Sequence, residues 1–368
     1  MLTGFYAKQI DMLKTHFGTY AKAVTADESA LKKVIKPEFV TSLVTERELK
    51  GVPSACADLK SRGIGYCVAG DEDYPRRLLG IKDMPLSLFY MGELPDEDRP
   101  SVAIIGARNC SGYGRQMARE FAREIGSAGI QVISGMALGI DGIAQKGALS
   151  TGGRSFGVLG CGVDICYPQS NHDLYDELKT KGGIISEYRP GTEPIARLFP
   201  ERNRIISGLS DAVLVIEARE RSGTLITVSM ALDQGREIYA LPGRVTDSLS
   251  TGCNRLIWEG ATPLVRPYDF VDDFLKKTGF TCNVKKGKKK GRPETSCKSY
   301  DERFLTSNER KILSVLGCDP KSAGEIIYDM GDECDIPISE VLCLLTQMTA
   351  RHMIDCIDGS HYVNLSPR

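Results

Sequence analysis

Four short stretches of the sequence combine glycine, hydroxyl and arginine residues, which are the residue types that bind phosphate groups. The first two stretches contain Gly106, Arg108, Ser111, Gly112, Ser134 and Gly135. Glycines let the backbone approach an anion closely, and hydroxyls and guanidinium groups donate hydrogen bonds to its oxygens. Both stretches therefore predict phosphate contacts, although a tight strand-to-helix turn would also account for the first. Asp141, which ends the second, is more readily explained as a helix N-cap than as a base.

The third and fourth stretches add further basic, aromatic and hydroxyl side chains. They contain Arg197, Phe199, Arg202, Asn203, Arg204 and Ser207, and then Ser222, Gly223, Thr224 and Thr227. Three arginines beside an aromatic ring suit a nucleic-acid backbone with one stacked base. The alternative is a solvated helix face in which Glu201 pairs with an arginine and Phe199 lies in the core. Hydroxyls at a helix start predict an anion site, whereas a capping motif would explain Ser222 or Thr224 singly.

The sequence lacks the motifs of the common nucleotide enzymes. Met117 stands where the third glycine of a dinucleotide fingerprint belongs, and no Walker A sequence is present. His172 has no obvious nucleophile partner, and Cys110 and Cys161 have no adjacent histidine to activate them. These observations favour a phosphate-binding surface over a reaction centre.

Short apolar runs alternate with helical periods and define the elements that must position these stretches. The runs cover residues 102–105, 131–133, 155–159, 184–186, 212–216 and 238–241. Continuous apolar runs separated by helices indicate a doubly wound, mostly parallel Rossmann-like α/β sheet buried on both faces. Ligands of such sheets bind beyond the carboxyl ends of the strands, where helix N-termini present unpaired N–H groups. We therefore expect all four stretches at one edge of the sheet.

The flanking regions predict further domains. Residues 1–60 read as a small helical domain of the SAM or helix-hairpin-helix kind, and residues 61–275 hold the Rossmann-like core. Within residues 276–303 the run KKGKKKGR, at positions 285–292, has no apolar side chain and predicts a basic disordered linker. Residues 304–368 predict three helices and a hairpin, a winged-helix-like domain.

The overall composition limits the possible partners and compartments. The 368 residues include 47 lysines and arginines against 48 acidic residues, a formal net charge of −1, so the chain does not coat DNA through bulk positive charge. The twelve cysteines form no CxxC pair, which predicts free thiols and no metal site. Because the N-terminus has no secretory character and no apolar run reaches the ~18 residues of a membrane helix, we expect a cytoplasmic protein.

Five motifs, in this order, are similar to those of the DNA-processing protein A (DprA/Smf) family: GARNCSGYG, SGMALGIDGIAQKGAL, LGCGVDICYP, FPERNRIISGLSD and SGTLITVSMALDQGREIYALPG. The resemblance spans residues 66–265. It implies a Rossmann-like core that binds single-stranded DNA in a basic pocket, acts as a homodimer and needs no cofactor. It also implies loading of a RecA-type recombinase during natural transformation.

The resemblance also implies roles for individual residues. Arg108 matches the phosphate-contacting arginine of the family, and Ser111 matches the neighbouring hydroxyl. Arg197 and Phe199 match the basic and aromatic residues that contact backbone and base. The remaining matches around the same pocket are Asn203, Arg204, Ser207, Gly223, Thr224 and Thr227.

Two other functions remain as alternatives. A nucleotide phosphoribohydrolase of the Lonely Guy kind shares this Rossmann variant, but Thr227 stands where its motif carries the catalytic glutamate. A DNA-binding regulator would act through the C-terminal domain. Its candidate recognition helix, residues 339–349, holds Glu340 and no basic residue, so it has few groups to read duplex DNA.

Overall fold

The computed structural model divides the chain into two compact units, residues 1–283 and 284–368. It describes residues 7–49, 52–280, 305–317, 320–331, 336–351, 353–357 and 360–364. The run KKGKKKGR and most of the predicted linker lie outside the described residues. Within the described ranges, no helix is both long enough and apolar enough to cross a bilayer.

The first unit begins with short helices. They are α1 (Ala7–Phe17), α2 (Tyr20–Thr25), α3 (Glu28–Leu31), α4 (Pro37–Leu49) and α5 (Val52–Ser61). Leu31, Val40 and Leu43 are almost completely buried and form a small core of their own. These helices agree with the helical region that the sequence predicts for residues 1–60.

A nine-stranded sheet follows. Its strands are β1 (Gly65–Val68), β2 (Ser87–Gly92), β3 (Ser101–Ile105), β4 (Gln131–Ser134), β5 (Ser155–Val158), β6 (Gly182–Ser186), β7 (Ala212–Val215), β8 (Glu237–Ala240) and β9 (Thr262–Pro263), in the spatial order β1-β2-β6-β5-β4-β3-β7-β8-β9. The seven strands from β6 to β9 in this order are parallel, while β2 pairs antiparallel with β6 and β1 antiparallel with β2. The predicted mostly parallel sheet is confirmed.

Helices cover both faces of this sheet. They are α6 (Gly112–Ser127), α7 (Ile140–Leu149), α8 (His172–Lys181), α9 (Leu198–Gly208), α10 (Gly223–Asp233), α11 (Thr251–Trp258) and α12 (Pro267–Thr278). Along β3, Val102 and Ile104 pack into one hydrophobic cluster, and Ala103 and Ile105 into another on the opposite face. This two-sided burial explains the unbroken apolar runs. Helix α12 extends to residue 278, three residues into the predicted linker.

The strand order places a topological switch point between β3 and β7. From β3 the chain continues to β4 on one side, and β7 returns to pair with β3 on the other. The loops that leave the carboxyl ends of β3 and β7 therefore diverge and leave a crevice at this edge. The first and fourth sequence stretches lie in or directly after these two loops.

The described residues of the second unit form three helices and a small antiparallel sheet. Its elements are α13 (Ser307–Val315), β10 (Lys321–Ser322), α14 (Ala323–Asp329), α15 (Ile338–Ala350), β11 (Ile354–Ile357) and β12 (His361–Asn364), and the sheet order is β10-β12-β11. Capping boxes begin α13 and α14, at Thr306 with Glu309 and at Ser322 with Glu325. This element order is the one that a winged helix requires, and the winged-helix assignment itself stays a prediction.

Candidate nucleic-acid interface

Two aromatic rings and one guanidinium group meet at the carboxyl edge of the sheet. The Phe199 ring stacks on the Tyr167 ring, with centroids 5.3 Å apart and an interplanar angle of 29°. The Arg108 Cζ atom lies 5.9 Å from the Phe199 centroid, within cation–π range. Gly160 makes this packing possible, because a Cβ at that position would come within 2.8 Å of Phe199 Cδ1. The loops after β3 and β5 and the start of α9 therefore form one surface.

Unpaired positive charge lies at the same edge of the sheet as this stack. Arg108 and Arg197 are exposed, and so are Arg219 and Arg221 in the loop after β7. Across the part of the chain that the structure describes, none of these four arginines forms an ion pair. Their charges are therefore available to an anion that approaches this edge.

Arg202 has a different role from the one that the sequence suggested. Its side chain is only 4% exposed, and Nη1 donates to the carbonyl oxygens of Gly135, at 2.9 Å, and Val158. Arg202 therefore links the ends of β4 and β5 from inside the protein. Its predicted DNA contact is corrected to a positioning role, since a buried guanidinium with these partners does not reach a ligand.

Asp141 lies next to this guanidinium. Its Oδ2 atom accepts a hydrogen bond of 3.0 Å from the Gly135 amide. Burial raises the pKa of the Asp141 carboxyl, and the nearby Arg202 guanidinium opposes that shift. The N-cap of α7 is Gly139, so the N-cap assignment favoured from the sequence is wrong: Asp141 is the second residue of the helix, and its carboxylate fixes the preceding loop instead.

Arg204 is also committed to the fold. Both of its terminal nitrogens bond the Glu187 carboxylate at 2.6 Å, and Nε donates to the Asp83 carbonyl at 2.7 Å. Its acidic partner is the Glu187 carboxylate; Glu201, the residue that the sequence offered as a pairing acid, accepts from Nη1 only through its backbone carbonyl, at 2.7 Å. This bidentate pair is mostly buried and holds the guanidinium within the protein, so this predicted contact is corrected as well.

The position for an anion at the start of α6 is occupied by a side chain of the protein itself. The Glu217 carboxylate is 2% exposed and accepts hydrogen bonds from the Ser111 amide, at 3.0 Å, and from the Ser111 hydroxyl. The same hydroxyl accepts from the Gly114 amide and caps the helix. Ser111 therefore binds a carboxylate of its own chain, and its predicted phosphate contact is corrected. Glu217, which directly follows the apolar run 212–216, is not among the residues predicted from the sequence.

Several other predicted contacts lie inside the protein. Ser134 and Ser207 are fully buried and donate to backbone carbonyls, Thr227 is 3% exposed, and Gly135 is buried. These four positions shape the strand ends and helices, which corrects their assignment as DNA contacts. Gly106, Gly112 and Asn203 are half-buried around the same loops, and Asn203 Oδ1 accepts from Arg202 Nε at 3.2 Å.

The start of α10 keeps the surface character that the sequence predicts. Gly223 is exposed, and a Cβ at that position would meet open space. Thr224 is half-buried, and the Ser222 hydroxyl is buried, has no hydrogen-bond partner among the described atoms and does not cap the helix. These residues therefore retain unsatisfied donors at a helix N-terminus.

Three further residues at this edge of the sheet are not among those predicted from the sequence: Tyr167, Arg219 and Arg221. Tyr167 lies in LGCGVDICYP, one of the motifs that carry the family resemblance, but its role depends on contact with Phe199, 32 positions further along the chain. Cys161, by contrast, is inert: burial raises the pKa of its thiol to about 11, so it carries no thiolate at neutral pH.

The fold defines a Rossmann-like α/β protein whose residues 65–275 match the family model of DNA recombination-mediator protein A. That match begins at β1 and covers the whole sheet. The chain belongs to this family, which confirms the resemblance to DprA and Smf proteins.

Individual relatives agree with this assignment. DprA from Streptococcus pneumoniae is 41% identical over 204 residues, which is 55% of this chain and 72% of the relative. Smf from Escherichia coli is 34% identical over 317 residues, which is 86% of this chain and 81% of the relative.

Solved structures agree as well. The structure of Streptococcus pneumoniae DprA matches with a TM-score of 0.63 and 32% identity, over 73% of this chain and 94% of that one. A Helicobacter pylori DprA structure, which describes the single-stranded DNA binding mode of that protein, matches with a TM-score of 0.52 and 31% identity. It covers 58% of this chain and 96% of its own.

Proposed function

We propose that this protein binds single-stranded DNA at the carboxyl edge of its sheet and acts as a recombination mediator without catalysing a reaction. The observation that carries the proposal is the stack of Arg108, Phe199 and Tyr167 among unpaired arginines. The Helicobacter pylori relative, described in its single-stranded DNA binding mode, supports the choice of ligand.

The side chains at this surface suit the binding of single-stranded DNA. Arg108 and Arg197 neutralise phosphates, and the release of counterions makes the affinity salt-dependent. Unpaired bases stack on the Tyr167–Phe199 pair with little preference for sequence, because every base has a π-face. The exposed Gly223 and the half-buried Thr224 provide a further phosphate contact at the N-terminus of α10.

The partners and compartment belong to the same proposal. We infer that the protein loads a RecA-type recombinase onto incoming DNA during natural transformation and does so as a homodimer in the cytoplasm. Trp258, Val265 and Tyr268 are apolar side chains that are 65–87% exposed near edge strand β9, a surface suited to a second copy. The free cysteines described in the structure suit a reducing compartment.

The test of the DNA site is Arg108→Ala. We expect the affinity for oligo-dT to fall roughly tenfold, and the slope of log K against log salt to flatten by about 0.7, because one phosphate contact is lost. Fluorescence anisotropy across a salt series measures both quantities. The matched control is Arg99→Ala, which removes an exposed arginine that pairs with Asp96 at 3.2 Å. Wild-type affinity and slope in the Arg108 variant would refute the site.

The recombinase and enzyme questions need separate assays. Adding the protein to a cognate RecA-type recombinase is expected to accelerate filament assembly on single-stranded DNA, and no acceleration would remove the mediator role. Release of free base from nucleoside monophosphates by the purified protein would contradict the non-enzymatic proposal.

A further inference from the structure

Helix α6 carries three arginines at intervals of four residues: Arg115, Arg119 and Arg123. Residues four apart lie on the same side of a helix, and each step advances ~6 Å along the axis, so the three span ~12 Å. Arg119 and Arg123 are exposed, and Arg115 is half-buried. We call these three residues the arginine row.

The arginine row is not neutralised by the protein. In the described portions of the chain, none of its three members forms an ion pair, and the Arg115 Nε atom is buried with no hydrogen-bond partner. Glu124 lies ~140° around the axis from Arg119, and Glu120 lies ~100° from Arg119 but only ~60° from Arg123. Glu120 accepts a hydrogen bond of 2.9 Å from Gln116 instead.

Helix α8 shows that this is not a general property of surface helices here. Lys179 pairs with Asp176 and Lys181 with Glu177, both at 2.6 Å. A cation that pairs with an acid of its own helix contributes little attraction for an outside anion. The three unpaired charges on α6 therefore form a local positive strip on a protein whose net charge is −1.

The arginine row begins at the proposed DNA site. Ser111, the N-cap of α6, ends the loop that carries Arg108, and the Arg115 amide donates to the Ser111 carbonyl at 3.0 Å. From there the row follows α6 away from the carboxyl edge of the sheet. A single strand of DNA that is bound at Arg108 can therefore continue directly to Arg115.

We propose that the arginine row binds the phosphates of the DNA strand after it leaves the site at Arg108. This inference rests on the proposed function and extends it, because it assigns a second contact region to the same strand. Single-strand binding surfaces characteristically follow the backbone with positive charge. The consequence is a dependence on length: a short oligonucleotide fills only the site at Arg108, and a longer one also reaches the row.

The test compares the R115Q/R119Q/R123Q variant with the wild type on two lengths of oligo-dT, about 6 and about 30 nucleotides. For the long oligonucleotide we expect the affinity to fall roughly tenfold or more and the salt slope to flatten by about 2, from three lost phosphate contacts. For the short one we expect affinity and slope to stay as in the wild type. Glutamine keeps a good helix propensity, and thermal unfolding followed by circular dichroism checks that α6 is intact.

The matched control is R99Q/K181Q/R266Q, which changes the net charge equally. These three cations pair with Asp96, Glu177 and Asp269 at 2.6–3.2 Å, and we expect the variant to bind both lengths like the wild type.

Three results would overturn the inference: wild-type binding of the long oligonucleotide by the α6 variant, an equal loss on both lengths, or an equal loss in the control. Failure of the proposed function looks different, because Arg108→Ala would then bind both lengths like the wild type.

Discussion

The two edges of the central sheet use arginine in opposite ways. At the amino edge, Arg77 pairs with Asp211, Arg99 with Asp96, and Arg154 with Glu93. At the carboxyl edge, the exposed arginines of the loops after β3 and β7 have no acidic partner among the described residues. The amino edge uses these charges to hold loops together, whereas the loops after β3 and β7 leave their exposed arginines free for a ligand.

The carboxyl edge also contains arginines that belong to the fold. Arg202 and Arg204 lie under the surface and bind carbonyls and a carboxylate, only a few residues from the exposed Arg197. The arginines at the start of α9 and within it therefore have two different functions, and the depth at which each side chain is buried decides which one it has. Buried arginines position the loops, and exposed ones provide the charge that acts outside the protein.

The largest effect is expected on the free energy of unfolding, from Arg202→Met. This change tests whether the burial of an arginine decides its function. This change leaves the carbonyls of Gly135 and Val158 without their donor and Asp141 without its neighbouring charge. The free energy of unfolding is expected to fall by about 3–5 kcal/mol. Urea denaturation measures the loss, and Arg197→Met is the exposed control, with an expected change within about 0.5 kcal/mol. A variant that stays stable but loses oligo-dT binding would place Arg202 among the ligand contacts.

The next effect in size concerns the aromatic pair. Tyr167→Ala removes the ring that stacks on Phe199, and we expect the affinity for oligo-dT to fall by about 1–3 kcal/mol. Tyr167→Phe keeps the ring and is expected to bind like the wild type. An oligonucleotide with abasic sites provides the second measurement, because a stacking contact adds nothing to its binding. An equal loss for abasic and normal DNA would mean that Tyr167 only supports the loop.

The smallest effect on affinity is expected from changing Arg219 and Arg221. This change tests the difference in arginine pairing between the two edges of the sheet. The R219Q/R221Q variant is expected to flatten the salt slope by about 1.4, since two phosphate contacts are lost, with a decrease in affinity of only a few-fold. A salt titration with oligo-dT distinguishes this from the control R77Q at the amino edge. R77Q breaks the pair with Asp211, so it should lower stability and leave the salt slope unchanged. The opposite pattern would invalidate the comparison of the edges.

Most of the fold could be read from the sequence. Each predicted apolar run contains or overlaps a strand, because strands buried on both faces are apolar at most positions. The antiparallel strands β1 and β2 are harder to predict from the sequence. Tyr66 in β1 is 42% exposed, and the sequence pattern does not show which strand β1 pairs with.

The candidate site was predicted less completely. Arg108 and Phe199 do lie together, because loops at the carboxyl ends of parallel strands share an edge. Arg202, Arg204 and Ser207 were assigned to the same surface, although a sequence does not show which side of α9 faces inward when polar residues occupy both sides. Glu217 could not be placed because its function depends on Ser111, from a different strand–helix connection.

The sequence by itself determined the sheet, the family and the edge at which a ligand would bind. Apolar periodicity and glycine-rich motifs are local properties, because they depend only on residues that are close together in the chain. Only the tertiary structure decided which arginines are free, because their partners are distant in the chain: the Asp83 backbone carbonyl for Arg204, and the Asp211 carboxylate for Arg77. A charge acts on a ligand only if the fold has not already neutralised or buried it, and burial and pairing are settled in three dimensions.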